Sequence, residues 1–262
     1  MQREQKLMLL KIVSLFSVIR GYNIPIIIIA QYLSAIFIMA PEQRALSILL
    51  DFNIFILVFA SAIAIASGYI INNFYDSQKD LINRPSKSML DRLVSQKTKL
   101  QVYFTLNFIV ALMAWFISWR ALLFFSFYIF LIWFYSHKLK KIVFIGNLSA
   151  ALLAVWPFFA ILLYYYQPTS IEELERHKDH FAVIIAHASF LFLLILIREL
   201  IKDLENLKGD LANNYHTIPV FYGENWSKRI STGLTVLTLV PVYILIELYD
   251  VGYMDIYFYS SL

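Results

Sequence analysis

Ile54 to Ile71, IFILVFASAIAIASGYII, carries no charge and runs directly into Asn72-Asn73-Phe74-Tyr75-Asp76-Ser77-Gln78-Lys79-Asp80, followed by Asn83-Arg84-Pro85. A run of this length crosses a hydrocarbon core of about 30 Å as a helix. Carboxylates at the end of such a run are costly, and ionisable groups there point to function. The pattern recurs once: Phe181 to Ile197 is apolar and ends on Arg198-Glu199-Leu200-Ile201-Lys202-Asp203, then Asn206 and Gly209-Asp210. Two acidic clusters of this kind, if they face one another, make a divalent-cation site.

The rest of the chain fixes the class. Its 262 residues are 60% hydrophobic and 15% charged, with a mean hydropathy of +0.66, too apolar for a soluble domain of this length. The expected fold is all-α, a polytopic membrane bundle around a central cavity. Seven spans are read: Ile24 to Ala40, Ile54 to Ile71, Val102 to Trp119, Ala121 to Phe134, Ile142 to Tyr166, Phe181 to Ile197 and Ile230 to Leu248, with Tyr253 to Leu262 as a short C-terminal segment. Linkers and low-complexity tracts are missing, so residues 1–262 read as one domain. Residues 1–20 form an interfacial segment in which Leu7 to Ile19 is an amphipathic helix on the membrane surface. No cleavable leader is visible, since Met1 to Lys11 is charged and the following apolar stretch meets Arg20 without a small-residue cleavage site. There is no cysteine, hence no disulfide and no thiolate ligand.

Lysine and arginine set the orientation. With a cytoplasmic N-terminus, the cytoplasmic segments Met1 to Asn23, Asn72 to Gln101, Tyr135 to Lys141 and Arg198 to Arg229 hold 18 of the 22 basic residues, leaving Arg44, Arg120, Arg176 and Lys178 outside. That is the positive-inside asymmetry, and it puts both acidic clusters and the mouth of the cavity on the cytoplasmic side. The +4 net charge is spread over loops that meet anionic lipid heads, so membrane lipids are expected partners and nucleic acid is not.

Helical spacing orders the clusters. Asn72, Asp76 and Asp80 fall at i, i+4 and i+8, one row on a helix continuing from the second span; Glu199, Asp203, Asn206 and Asp210 form a second row below the sixth. Hard oxygen donors at this density suit Mg²⁺, which takes one or two carboxylates and completes its shell with water and phosphate oxygens. The plainer reading, solvated helix ends paired locally with Lys79, Arg84, Lys202 and Lys208, covers one cluster more easily than two on the same side. The small residues Ala60, Ser61, Ala62, Ala64, Ala66, Ser67 and Gly68 should let the second span pack closely, and Gly146 and Pro157 should kink the fifth.

The run N-x-x-x-D-x-x-x-D-x-x-N-R-P at Asn72 to Pro85 resembles the first aspartate motif of the UbiA superfamily of intramembrane prenyltransferases, and R-E-x-x-K-D-x-x-x-x-x-G-D, then T-I-P-V and Gly223, at Arg198 to Gly223 resembles the second. Arg20 and Asn23, Tyr135-Ser136 with Leu139-Lys140, and Gly146-Asn147 are supporting matches in the same order. The form R-E-x-x-K-D is most similar to the branch that prenylates geranylgeranylglyceryl phosphate. The resemblance implies Mg²⁺-dependent transfer of a prenyl group from an allylic isoprenyl diphosphate to a lipophilic acceptor, in that branch a glyceryl-phosphate hydroxyl; an aromatic quinone precursor is the alternative acceptor. It implies that Asn72, Asp76, Asp80, Asp203 and Asp210 hold Mg²⁺, with Lys202 beside them in the catalytic set. Arg84 and Lys138, with Lys202, are the basic groups for the diphosphate, Tyr135 and Ser136 hydrogen-bond donors to it, Arg20 and Asn23 cavity residues, and Glu199 and Asn206 further substrate contacts. The bacterial inner membrane is the expected location.

Departures from the family pattern fall at Asn73 and Asn206, where acidic residues are common and each amide removes a negative charge; Glu205 does not compensate, lying about 200° around the helix from Asp203. The family has nine spans against seven here, so a chain shortened or truncated at its C-terminus is expected. Classes outside the transferases are an ion-coupled transporter, whose carboxylates would lie nearer the bilayer midplane on broken helices, and an inactive scaffold. His187 is expected to bond a neighbouring helix, His177 and His180 to lie in a solvated loop, and Asp51 and Glu247 to be interfacial.

Overall fold

The computed structural model describes residues 2–165 and 178–248; Tyr166, His177 and the segment from Tyr253 lie outside them. Helix α1 (Gln2–Val18) leads through a turn at Gly21–Asn23 into α2 (Ile24–Ser34), whose last turn, Ala35–Met39, widens to a π-helix. Then come α3 (Ala45–Leu49), α4 (Phe52–Asn83), α5 (Pro85–Asp91), α6 (Gln96–Ile117), α7 (Trp119–His137), α8 (Ile145–Tyr165), α9 (Lys178–Glu205), α10 (Leu207–Ala212), α11 (Ile218–Tyr222), α12 (Glu224–Leu237) and α13 (Leu239–Tyr243). Seven helical stretches are long and apolar enough to span a bilayer: Gly21–Met39, Phe52–Asn83, Gln96–Ile117, Trp119–Lys141, Ile145–Tyr165, Phe181–Glu205 and Glu224–Glu247. Each contains or overlaps one of the seven runs read from sequence.

Local chemistry sets the ends. The Asp51 carboxylate caps α4, accepting from the Asn53 and Ile54 amides at 2.8 and 3.1 Å, and its other oxygen accepts from the Tyr164 hydroxyl at 2.8 Å. Interfacial exposure is thus not the whole account of Asp51: it is an N-cap that ties α4 to α8. Ser95 and Ser118 cap α6 and α7 in the same way. At its far end α4 stops at Arg84, held in extended φ by the proline that follows, and Pro85 opens α5 as its first residue.

Helix α4 is the axis of the bundle. Of its membrane-spanning window 61% is buried, against 33% or less in the other six, and it contributes to two cores. Leu57, Ala60, Ala64, Ile70 and Ile71 pack with Val110 of α6 and Phe125 and Tyr128 of α7; Ile54 and Val58 pack with Ile161 of α8 and Ile184 of α9. Its small residues do what membrane helices require of them, since Ala60, Ser61, Ala62 and Ala64 are almost wholly buried, Ala60 and Ala64 in the core shared with α6 and α7.

Pro157 interrupts the α8 ladder because it has no amide hydrogen for the carbonyl of Leu153. The Tyr128 hydroxyl donates to that carbonyl at 3.1 Å, and the buried Gln31 amide donates to the carbonyl of Pro157 itself at 2.9 Å. The irregularity is therefore sealed by α7 and α2. Gly146 serves close approach instead of a kink: a Cβ there would lie 3.0 Å from the Lys140 carbonyl oxygen. His187 bonds the Val183 carbonyl of its own helix at 2.8 Å and not a neighbouring one.

The N-terminal segment is helical, as α1, and docks through Ser14, Ser17 and the buried Val18. Ser14 donates to the Leu90 carbonyl at 2.7 Å, Ser17 to Asp91 at 2.7 Å, and Met8, Ile12 and Phe16 are exposed on the outer side.

Candidate active site

The polar end of α4 carries its carboxylates past the last apolar turn without a break, so Asn72, Asp76 and Asp80 keep one helical face toward α9 and α10. Asp76 is the buried centre. Its Oδ1 accepts from Lys140 Nζ at 2.7 Å and from the Tyr215 hydroxyl at 2.9 Å. Lys140 also donates to Asn72 Oδ1 at 3.2 Å. One turn on, Lys79 crosses to α10 and pairs with the fully buried Asp210 at 2.5 Å, whose other oxygen accepts weakly from Thr217 at 3.4 Å. The Asp80 carboxylate makes no hydrogen bond or ion pair with a described residue and lies in the field of Asp76, Lys79, Arg20 and Lys140.

The second row closes from α9. Asp203 accepts from Asn147 Nδ2 at 2.7 Å, and Glu199 pairs with Lys202 at 2.5 Å. Asn206 is buried at the α9–α10 junction. The rows are bolted together by Asn83, whose Oδ1 accepts from the Gly209 amide at 2.8 Å; a Cβ on Gly209 would come within 2.4 Å of the Asn83 side chain. Gly209→Ala is expected to push α10 off α4, lowering the melting temperature in detergent by an amount equivalent to about 1–3 kcal/mol and cutting turnover at least as strongly as Asp210→Asn. A melting curve and a rate on the same preparation check this.

Among groups outside the spans, burial raises the Asp210 carboxyl above the usual range, with Lys79 pulling it back. Burial, then the Asp76 carboxylate, drives the Tyr215 phenol far up, so it stays protonated and donates. Both follow from putting charge in a low-dielectric wall.

The structure redistributes several expected roles. Lys138 is exposed at the C-cap of α7, and the short 3-10 turn Leu139–Lys141 swings Lys140 inward in its place. Arg84 pairs at 3.6 Å with Glu205 on the exposed rim and does not face the rows. Asn73 points to the other side of α4, where it donates to Asp91 at 2.9 Å and accepts from the buried Lys99 at 2.8 Å. Its amide therefore costs the site no ligand; an acid there would sit in the α1, α5 and α6 junction. Arg20, in the left-handed region, lies 5.0 Å from the Tyr69 ring centroid within the field of Asp80 and Glu199, and Asn23 closes the turn after it. Tyr135 lies in the field of Lys202, Glu199, Asp76 and Asp203, and the buried Ser136 hydroxyl has no partner among described residues. Tyr215 and Asn83 carry the geometry without having been singled out as site residues, and Lys79, read only as a local ion-pair partner within its own cluster, reaches across to Asp210 of the other.

The donor set fits Mg²⁺ shared with a substrate better than a closed protein cage. Among the described residues no three acidic or histidine side chains converge as a ready-made site. Instead, buried oxygens face one another across α4 and α9–α10 with lysines lying on Asp76 and Asp210. Mg²⁺ sites built from a few carboxylates and phosphate oxygens have this incompleteness.

A sequence profile of the UbiA prenyltransferase family matches residues 28–262. The chain is similar to the digeranylgeranylglyceryl phosphate synthase of Methanobrevibacter smithii, 25% identical over 244 residues that cover 90% of this chain and 80% of that one. A synthase of the same name from Thermococcus sibiricus is 29% identical over 188 residues, covering 71% and 61%, so the match spans about three-fifths of that relative. A solved UbiA homologue from Archaeoglobus fulgidus, bound to GPP and Mg²⁺, superposes with a TM-score of 0.67 at 16% identity over 93% of this chain and 85% of that one.

Proposed function

The chain belongs to the UbiA prenyltransferase family, and on that premise we propose that it transfers a prenyl group from an allylic isoprenyl diphosphate to the hydroxyl of a lipophilic glyceryl phosphate, with Mg²⁺. The observation that carries the reading is the meeting of the two aspartate rows, Asp76 on α4 with Lys140 and Tyr215, and Asp210 on α10 with Lys79. The glyceryl-phosphate acceptor is supported by the names of the relatives.

Asp76, Asp80, Asp203 and Asp210, with Asn72, are the residues that would hold the metal. When bound, Mg²⁺ neutralises charge building on the departing diphosphate as the allylic carbon–oxygen bond breaks. Lys79, Lys140 and Lys202 are the fixed cations nearest those oxygens, and their charge acts without any proton transfer. Tyr215 donates a hydrogen bond. The Tyr75 ring, 5.8 Å from Lys140 Nζ, and the apolar turns above keep water from the allylic cation and offer it π density. Arg84 and Lys138 drop to peripheral roles.

The protein is an integral multi-pass membrane protein. The basic-residue asymmetry supports a site at the cytoplasmic face of the cell membrane. The relatives quoted are archaeal, and the bacterial membrane remains part of the proposal.

Purified protein given an allylic diphosphate and a prenylglyceryl phosphate should release diphosphate, stop on addition of chelator and recover with excess Mg²⁺. Mass spectrometry should find the ether product. Release indifferent to chelator sinks the metal-dependent mechanism; no release with any allylic donor leaves a transporter or scaffold.

A further inference from the structure

Beside the aspartate rows lies a cavity of about 870 Å³ whose walls hold Lys79, Arg92 and Lys141 and, among the described residues, no carboxylate. Phe74, Ser77 and Tyr215 also line it. Resting on the transferase reading above, we propose that this cavity seats the phosphate monoester of the acceptor, a second phosphate site apart from the one that takes the donor diphosphate.

The cations divide between the two sites. Lys79, Lys140 and Lys202 pair with Asp210, Asp76 and Glu199 and so belong to the aspartate rows and the donor diphosphate. Arg92 and Lys141 have no carboxylate partner among the described residues: Arg92 Nη2 donates to the Ser77 carbonyl at 3.1 Å, and Lys141 lies 5.2 Å from the Tyr215 ring centroid. One edge of the guanidinium is thereby fixed and the rest of the fork is available for a bidentate contact, the geometry that phosphate favours. A phosphate monoester carries roughly −1.5 to −2 charges at neutral pH, which two cations balance.

Position agrees with charge. The cavity sits at the polar ends of α4 and α6, past their apolar turns, where a lipid acceptor would place its headgroup. Its wall is shared with the reaction site: Tyr215 reaches Asp76, and Lys79 reaches Asp210. An acceptor with its phosphate on Arg92 and Lys141 presents its hydroxyl, at the other end of a short glycerol backbone, toward the aspartate rows.

The test is initial-rate kinetics with a prenylglyceryl phosphate and with the matching prenylglycerol, which lacks the phosphate. Arg92→Gln and Lys141→Gln should each raise KM for the phosphorylated acceptor about tenfold, the cost of one charge-assisted contact, leaving the donor KM unchanged. Lys141→Arg should restore it. Prenylglycerol should be used equally poorly by all. An unchanged KM, or the same rise for both acceptors, overturns the site. Calorimetry on the solubilised protein provides a readout free of turnover: the prenylglyceryl phosphate should bind in an Arg92- and Lys141-dependent way, with inorganic phosphate competing. Competition by phosphatidylglycerol alone makes the cavity an ordinary lipid site and overturns the proposal. Binding that depends on these residues without turnover by any variant rejects the transferase reading and keeps the phosphate site; turnover indifferent to both residues does the reverse.

Discussion

Asp203→Asn should cut prenyl transfer by about 10²–10³-fold or more, the loss expected when a group stabilising transition-state charge is removed, with little change in melting temperature. The native carboxylate accepts one hydrogen bond, from Asn147 at 2.7 Å, and makes no ion pair within 4.0 Å among the described residues. An amide oxygen in its place still accepts from Asn147, so the fold loses almost nothing while the site loses a negative ligand. Asp76→Asn should show the same loss of transfer together with a lower melting temperature, because Lys140, 2.7 Å away, is left buried without its counter-charge. Rates and melting curves on both variants, recovered from membranes at wild-type level, separate the two roles. Unchanged turnover in both would remove the metal assignment.

Much of this was legible because membrane helices leave the sequence few choices. An 18-residue uncharged run followed at once by Asn72, Asp76 and Asp80 has to continue as helix, since an unpaired backbone at the membrane edge is expensive; the row on α4 follows from spacing alone. Seven spans and the small-residue face of α4 were equally readable. What failed was direction at helix ends. Lys138 and Lys140 lie two residues apart, and which one turns inward depends on the 3-10 turn Leu139–Lys141 and on the contact that Gly146 permits, both tertiary facts. Asn73 reads as a defect in a ligand row only while the row is drawn one residue too wide: it lies about 100° around α4 from Asn72, enough to put it in the Asp91–Lys99 junction. For Asp51 the cap itself is local, made to the Asn53 and Ile54 amides, but the tie to α8 is not, because its partner Tyr164 is over a hundred residues away.

Lys140 against Lys138 is the sharpest comparison. Lys138→Met removes an exposed charge and should change stability by no more than about 0.5 kcal/mol and turnover by less than about twofold on the same ground. Lys140→Met strands Asp76 in a buried wall with Tyr215 as its remaining donor, and removing one partner of a buried pair costs about 3–5 kcal/mol. Stability and activity should then part company in the double variant. Adding Asp76→Asn to Lys140→Met deletes the stranded charge, so the melting temperature should recover well beyond the sum of the single effects, while transfer stays lost because both the ligand and the diphosphate cation are gone. If the double variant is no more stable than Lys140→Met, the pair is not the internal charge balance described here. If Lys138→Met proves the more damaging for the donor KM, the inward turn of Lys140 is wrong and the original assignment of the phosphate cation returns.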